Sequence, residues 1–175
     1  MPAIPSGFET DRVFRLHKAG PNPLSWTLEA ASAGGSFRKE YDTGKLDDWI
    51  EQYEEEVPRS AIHFVIAENP GPVGLLTWAT VEWNETIRLI DIRVAPEARR
   101  QGVGSALVLH LLGEAGRLRA RGISVETQIN NFPAIQFYKR NGFSIVGFNE
   151  RLYSNRDLED QDVALFLFRE RNGHR

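Results

Sequence analysis

The sequence predicts a mixed α/β domain with a central, mostly antiparallel sheet of about six or seven strands flanked by helices. Three observations carry this expectation. β-rich runs follow one another at 61–68, 73–81 and 86–94 with turn residues between them. A long apolar periodicity of helical spacing occupies 102–121, and beyond it short apolar runs alternate with one further helical stretch. At 175 residues, 41% hydrophobic and 26% charged, the chain has the size and composition of a single folded domain spanning 1–175.

The elements follow in order. Residues 11–42 alternate apolar and polar side chains (Val13, then Trp26, Leu28 and Ala30, then Phe37) around Gly34-Gly35, predicting short strands and a hairpin. At 44–56 helical spacing puts Leu46, Ile50 and Tyr53 on one face, and Val57-Pro58 ends that helix. Asn69-Pro70-Gly71-Pro72 is a turn signal that makes 61–68 and 73–81 an antiparallel pair, and Asn84-Glu85 leads into 86–94. The long helix carries Val103, Leu107, Leu111 and Leu118, with Gly122 as its C-terminal stop. A strand at 123–129, a helix at 133–140, a turn at Asn141-Gly142 and strands at 143–148 and 163–168 complete the fold, and 169–175 reads as a frayed polar end.

Composition removes several functions. Zero cysteines exclude a disulfide framework, a thiolate metal site and a cysteine nucleophile. His17, His63, His110 and His174 are scattered without a second ligand at metal spacing, so no metal is expected. No stretch has the roughly 18 apolar residues of a spanning helix and the start lacks a signal pattern, so a cytoplasmic protein with no membrane partner is expected. The net charge of −3 argues against a nucleic-acid partner. Charge is also segregated: 42–56 holds seven acids and one lysine, whereas 97–121 holds five arginines and two glutamates.

Between the strand at 86–94 and the long helix lies Val94-Ala95-Pro96-Glu97-Ala98-Arg99-Arg100-Gln101-Gly102-Val103-Gly104-Ser105. Backbone N–H groups at a helix start have no intrahelical partner, and the helix dipole adds about half a positive charge there. Two glycines let a phosphate approach the backbone, so the segment suits a diphosphate. A Walker loop would place a lysine after its last glycine, and a dinucleotide fingerprint would want a small residue where Leu107 stands; neither pattern fits.

Arg99-Arg100-Gln101-Gly102-Val103-Gly104 resembles the R/Q-x-x-G-x-G/A signature of the GNAT superfamily of acyl-CoA N-acyltransferases. Asn131-Phe132-Pro133-Ala134-Ile135-Gln136-Phe137-Tyr138 with Asn141-Gly142-Phe143 is similar to the N-x-x-A-x-x-x-Y stretch and Gly-Phe turn of that superfamily. TDRVFRLHK near the N-terminus, ETQINNFPAIQFY and LYSN around Tyr153 extend the resemblance to streptothricin (nourseothricin) acetyltransferases over nearly the whole chain. The resemblance implies a single GNAT-like domain using acetyl-CoA as cosubstrate, with the diphosphate on the backbone of Gln101, Gly102, Val103, Gly104 and Ser105 and with Arg99 and Arg100 near the phosphates. It further implies that Val94 pairs with the pantetheine arm, that Asn131 and Tyr138 flank the thioester, that Ile92 and Ala134 also contact the cofactor, and that Tyr138 is the general acid. Two positions depart from the streptothricin pattern: Ile90 stands where those enzymes carry a glutamate, and Gly147-Phe148-Asn149 lacks their aspartate.

Acetyl transfer needs a neutral amine, and a lysine-type amine of pKa about 10.4 is neutral to roughly one part in 2,500 at pH 7, a cost of about 4.6 kcal/mol. Glu126 and Asp91, both on strands, are the candidate bases, with Glu126 preferred. Trp78, Asp91, Glu126 and Tyr153 are the candidate acceptor contacts. The expected partner is therefore a small amine, with a streptothricin-like antibiotic leading. Acetylation of a protein N-terminus, a lysine side chain or another small amine, a non-catalytic acyl-CoA sensor and an interaction module using the acidic helix remain open, as does the choice between monomer and homodimer.

Overall fold

Residues 4–20, 25–41 and 61–171 are described in this computed structural model. The helix expected at 44–56 and its acidic run lie outside the described residues. The strands are β1 (Gly7–Lys18), β2 (Trp26–Glu40), β3 (Ile62–Glu68), β4 (Pro72–Val81), β5 (Thr86–Val94), β6 (Gly122–Gln128), β7 (Ser144–Asn149) and β8 (Ala164–Glu170), and the helices are α1 (Val103–Arg117) and α2 (Phe132–Arg140). Six strands form one sheet in the order β3-β4-β5-β6-β8-β7, and β1 and β2 form a separate two-stranded sheet. β3 and β5 flank β4 antiparallel, while β5 and β6 pair in parallel through the crossover that α1 provides. The mixed α/β architecture expected from the sequence is present.

Packing divides the chain into two compact units, Met1–Ser6 with Tyr41–Val125 and Phe168–Arg175, and Gly7–Glu40 with Glu126–Leu167. In the first unit, Leu75 to Ala79 of β4 are buried on both faces, as in a central strand covered on each side. α1 packs on β3, β4 and β5 through Leu107, Val108, Leu111 and Ala115, a stripe at helical spacing. Burying each leucine contributes about 1.5–3 kcal/mol.

α1 ends earlier than expected. Arg119 adopts a left-handed φ of 58°, its N–H donates to the Gly116 carbonyl (3.2 Å), and the Ala120 N–H donates to the Ala115 carbonyl (2.9 Å), forming a Schellman motif. Leu118 thus lies past the helix and is partly exposed. Gly122 is not the helix stop but the first residue of β6. A Cβ there would lie 2.3 Å from Phe168 Cζ and 2.5 Å from the Arg169 carbonyl oxygen, so close approach is what requires glycine. β8 also continues to Glu170 where the sequence suggested fraying, because β8 is an inner strand of the sheet.

In the second unit, β1 and β2 form the expected hairpin, but Gly34-Gly35 is not its turn. The register steps from Thr10↔Phe37 to Arg12↔Ser32, leaving 33–36 opposite Asp11 alone, so the glycines serve an enlarged bulge inside β2. α2 packs on β1, where Phe14 stacks on Phe132 (5.2 Å between ring centroids) and the Arg12 guanidinium lies over the same ring. The Phe14 N–H donates to the Ile129 carbonyl (3.0 Å), fixing the hairpin beside the end of β6.

Candidate active site

The expected residues divide between the two units. In the first, the segment after β5 is anchored before it opens at the glycines. Ala95 and Ala98 are buried with Ile4 and Leu75, and Val73, Val94 and Val103 pack around them. The Ala95 N–H donates to the Val73 carbonyl (2.9 Å), Arg99 Nε donates to the Val94 carbonyl (3.1 Å), and Gln101 Nε2 donates to the Glu97 carbonyl (2.6 Å). Arg99 and Gln101 therefore shape the loop's backbone with their side chains.

Arg100 (φ 61°) and Gly102 (φ 88°) take left-handed conformations on either side of Gln101. Gly102 is the N-cap of α1 and has no side chain with which to cap it; the first helical bond runs from the Ala106 N–H to the Gly102 carbonyl (2.9 Å). The N–H groups of Val103, Gly104 and Ser105 precede that bond and so have no intrahelical acceptor. The first turn carries no acid, and Arg99 and Arg100 are exposed just before it. These residues fit a diphosphate: uncapped donors, a favourable dipole and nearby cations, with no carboxylate in the first helical turn.

Asp91 follows a bulge at Ile90, where the β4–β5 register steps from Thr77↔Asp91 to Trp78↔Leu89. The Ile90 departure thus falls on the extra residue of a bulge. Two positions along β5, on the same face, Arg93 Nε lies 2.5 Å from Asp91 Oδ2 as an ion pair. Burial pushes the Asp91 carboxyl above the usual carboxylate range, against the opposing pull of Arg93. Trp78 was expected to line an acceptor pocket. It is 2% exposed, with its ring stacked at 4.2 Å on that of the exposed His63.

In the second unit, alternation along β6 buries Thr127 and turns Glu126 and Gln128 to the other, half-exposed face. Tyr153, in the turns between β7 and β8, donates its phenol O–H to Glu126 Oε1 and accepts from Gln128 Nε2 (3.1 Å). Burial, then the Glu126 charge, pushes the Tyr153 phenol far above its ordinary value, so it stays protonated. Asn131 Oδ1 accepts the Ala134 N–H (3.1 Å) and caps α2, a role the N-x-x-A spacing supplies. Tyr138 lies on the buried face of α2, 6% exposed, edge-on to Phe137 and Phe143. Asn149 ends β7, where its side chain accepts the Arg151 N–H (3.0 Å).

Gln128 and Asp157 were missed at the sequence level. Gln128 was legible as the polar neighbour of Glu126 two residues along a strand. Asp157 had no such signal, since it matters only through the turns it closes. Among the described residues no cluster of three or more His, Cys, Asp or Glu is arranged to hold a metal ion, and no helix is long and apolar enough to cross a membrane.

A parallel β5–α1–β6 crossover whose helix starts on an uncapped glycine defines an α/β domain with donors suited to an anion at that helix start. The sequence profile of the acetyltransferase (GNAT) family matches residues 26–143, so the chain belongs to that family and is an acetyltransferase. It is similar to streptothricin acetyltransferase A of Bacillus subtilis (strain 168), 29% identical over 82% of this chain and 79% of the relative. Its fold matches the crystal structure of a nourseothricin acetyltransferase with a TM-score of 0.76 and 25% identity, over 96% of this chain and 89% of the other. It also matches a protein described as a streptothricin acetyltransferase from Bacillus anthracis, in complex with acetyl coenzyme A, with a TM-score of 0.75 and 26% identity over 97% and 90% of the two chains.

Proposed function

We propose that the protein moves the acetyl group of acetyl-CoA to a primary amine of a small cationic acceptor in the cytoplasm, with a streptothricin-like antibiotic as the leading acceptor. The observation that carries this reading is the likeness to streptothricin acetyltransferases along most of both chains. Acetyl-CoA supplies the activated thioester. The backbone of Gln101 to Ser105 and the exposed Arg99 and Arg100 hold its diphosphate, Ile92 and Val94 run beside its arm, and Asn131, Ala134 and Tyr138 lie at its reactive end. The chain contains no cysteine to carry an acetyl group, so the amine attacks directly in a ternary complex.

Glu126 takes the amine's proton, directly or through a water, and offsets the roughly 4.6 kcal/mol cost of a neutral amine at pH 7. Asp91 is the weaker candidate because its carboxylate is already paired with Arg93. The C–N bond forms as the C–S bond breaks, and Tyr138 hydrogen-bonds the departing sulfur. Full proton transfer from a phenol of pKa about 10 to a thiolate of pKa about 8.5 is uphill by roughly 2 kcal/mol, so Tyr138 acts chiefly as a hydrogen-bond donor. Glu126 and Tyr153 form the acceptor side of the site. The losses of carboxylate at Ile90 and Asn149 favour a second reading, another small amine or a peptide amine.

A thiol-release assay with acetyl-CoA tests both readings against streptothricin, polyamines, aminoglycosides and short peptides. Turnover with streptothricin, lowered roughly 100-fold in kcat by Tyr138→Phe, is the expected result. Turnover with a different amine alone keeps the chemistry and replaces the acceptor. Binding of acetyl-CoA without thiol release on any amine overturns the enzyme reading in favour of a sensor.

A further inference from the structure

Three polar groups from two distant stretches of chain meet within the second unit. Gln128 Nε2 donates to the Tyr153 oxygen (3.1 Å), and the Tyr153 O–H donates to Glu126 Oε1. The direction of this relay is fixed by chemistry: an amide nitrogen only donates and a carboxylate only accepts, so the phenol's one proton goes to Glu126. Tyr153 belongs to a turn-rich segment, and the base of that segment is a buried acid. Asp157, 1% exposed, accepts the Tyr153 N–H at Oδ2 (2.8 Å) and the Ser154 hydroxyl at Oδ1 (2.6 Å), and its carbonyl accepts the Asp162 N–H (2.8 Å). Asn130 Nδ2 ties the same segment to the end of β6 through the Gln161 carbonyl and Asp162 Oδ1, both at 3.0 Å, and Lys39 Nζ pairs with Asp162 (2.7 Å).

We propose that Tyr153 is a positioning residue for Glu126: its phenol sets the orientation of the carboxylate that works on the acceptor amine, and Asp157 holds Tyr153 in place to do so. This rests on the reading of Glu126 as the group that takes the amine's proton. Two features favour positioning over a direct acceptor contact. The phenol's proton is committed to Glu126, and its oxygen also receives Gln128. The backbone on which the tyrosine stands is fixed by a buried charge rather than left to adapt to a ligand. A flexible acceptor contact needs neither feature, whereas a carboxylate that must be aimed needs both.

The test is a double-mutant cycle on kcat and KM with whichever amine of the panel turns over, using the full chain as wild type, Tyr153→Phe, Glu126→Gln and the double variant. Tyr153→Phe keeps the ring and removes only the donor, and an unchanged melting temperature checks its fold. Positioning predicts that Tyr153→Phe lowers kcat roughly tenfold with little change in KM, and that the same substitution changes kcat less than about twofold once Glu126 is glutamine. Equal losses in both backgrounds, or a raised KM at unchanged kcat, overturn the proposal in favour of a direct acceptor contact. An impaired Glu126→Gln beside an unimpaired Tyr153→Phe overturns this inference alone. A fully active Glu126→Gln overturns the base assignment and the inference together, as does failure of every amine to turn over.

Discussion

At Asp157 a buried carboxylate is worth its desolvation because it gathers donors that would otherwise be orphaned. Burial pushes its carboxyl up, but the hydrogen bonds from Ser154 and from the backbone N–H groups of Tyr153, Ser154 and Leu152 hold it below the usual carboxylate value. A carboxyl depressed in the folded state adds stability above its unfolded pKa of about 3.9 and loses it as pH falls through the lower native value. Asp157→Ala should therefore lower the melting temperature at pH 7, with the difference narrowing in acid below about pH 3.9, as followed by circular dichroism. Gly122 is constrained by shape. Gly122→Ala drives a Cβ against the Phe168 ring and the Arg169 carbonyl, and a loss of about 1–3 kcal/mol is expected in urea unfolding because backbone is among the atoms that must move.

At the scale of elements, α1 has an unusual residue near each end. Its C-terminal Schellman motif rests on Arg119, an L side chain in a region that costs about 1–2 kcal/mol. Arg119→Gly removes that strain at some cost in unfolded-state entropy, so a net gain of about 0.5–1 kcal/mol is expected in the same unfolding measurement. Arg117 and Arg121 make the contacts that hold this end: Arg117 pairs with Glu114 (2.6 Å), and Arg121 donates to the Asn84 carbonyl (2.8 Å) while its guanidinium covers Phe168. At the other end Gly102 leaves the first N–H groups without a capping side chain. Gly102→Ala strains a φ of 88°, and if the loop holds the diphosphate as proposed, acetyl-CoA binding is expected to weaken roughly tenfold in calorimetry.

For the whole molecule, a ligand that binds only the folded chain stabilises it by mass action. Acetyl-CoA at about 100 times its dissociation constant should add about 2.7 kcal/mol, read as a raised melting temperature, and Gly102→Ala should shrink that rise at the same concentration.

Local patterns were legible because they need only neighbours. The β-rich runs that become β3 to β6, the stripe of α1 and the glycine start after Arg100 each depend on residues a few positions apart, and the chain shows them as the sequence implied. The loop at 95–105 and the 131–138 stretch carried the family for the same reason. Tertiary structure decided what depends on distant partners. Gly122 is glycine because of Phe168 and Arg169, not because a helix ends beside it. Gly34 and Gly35 open a bulge because β1 sets their register. Trp78 pairs its ring with that of His63 across the β3–β4 register, a contact between strands fifteen positions apart. Glu126 meets Tyr153 across 27 positions only because the turns closed by Asp157 return the chain to β6. Spacing along a chain fixes which side chains share a face, but which faces and turns meet depends on register, burial and close packing between segments that the sequence orders without placing in contact.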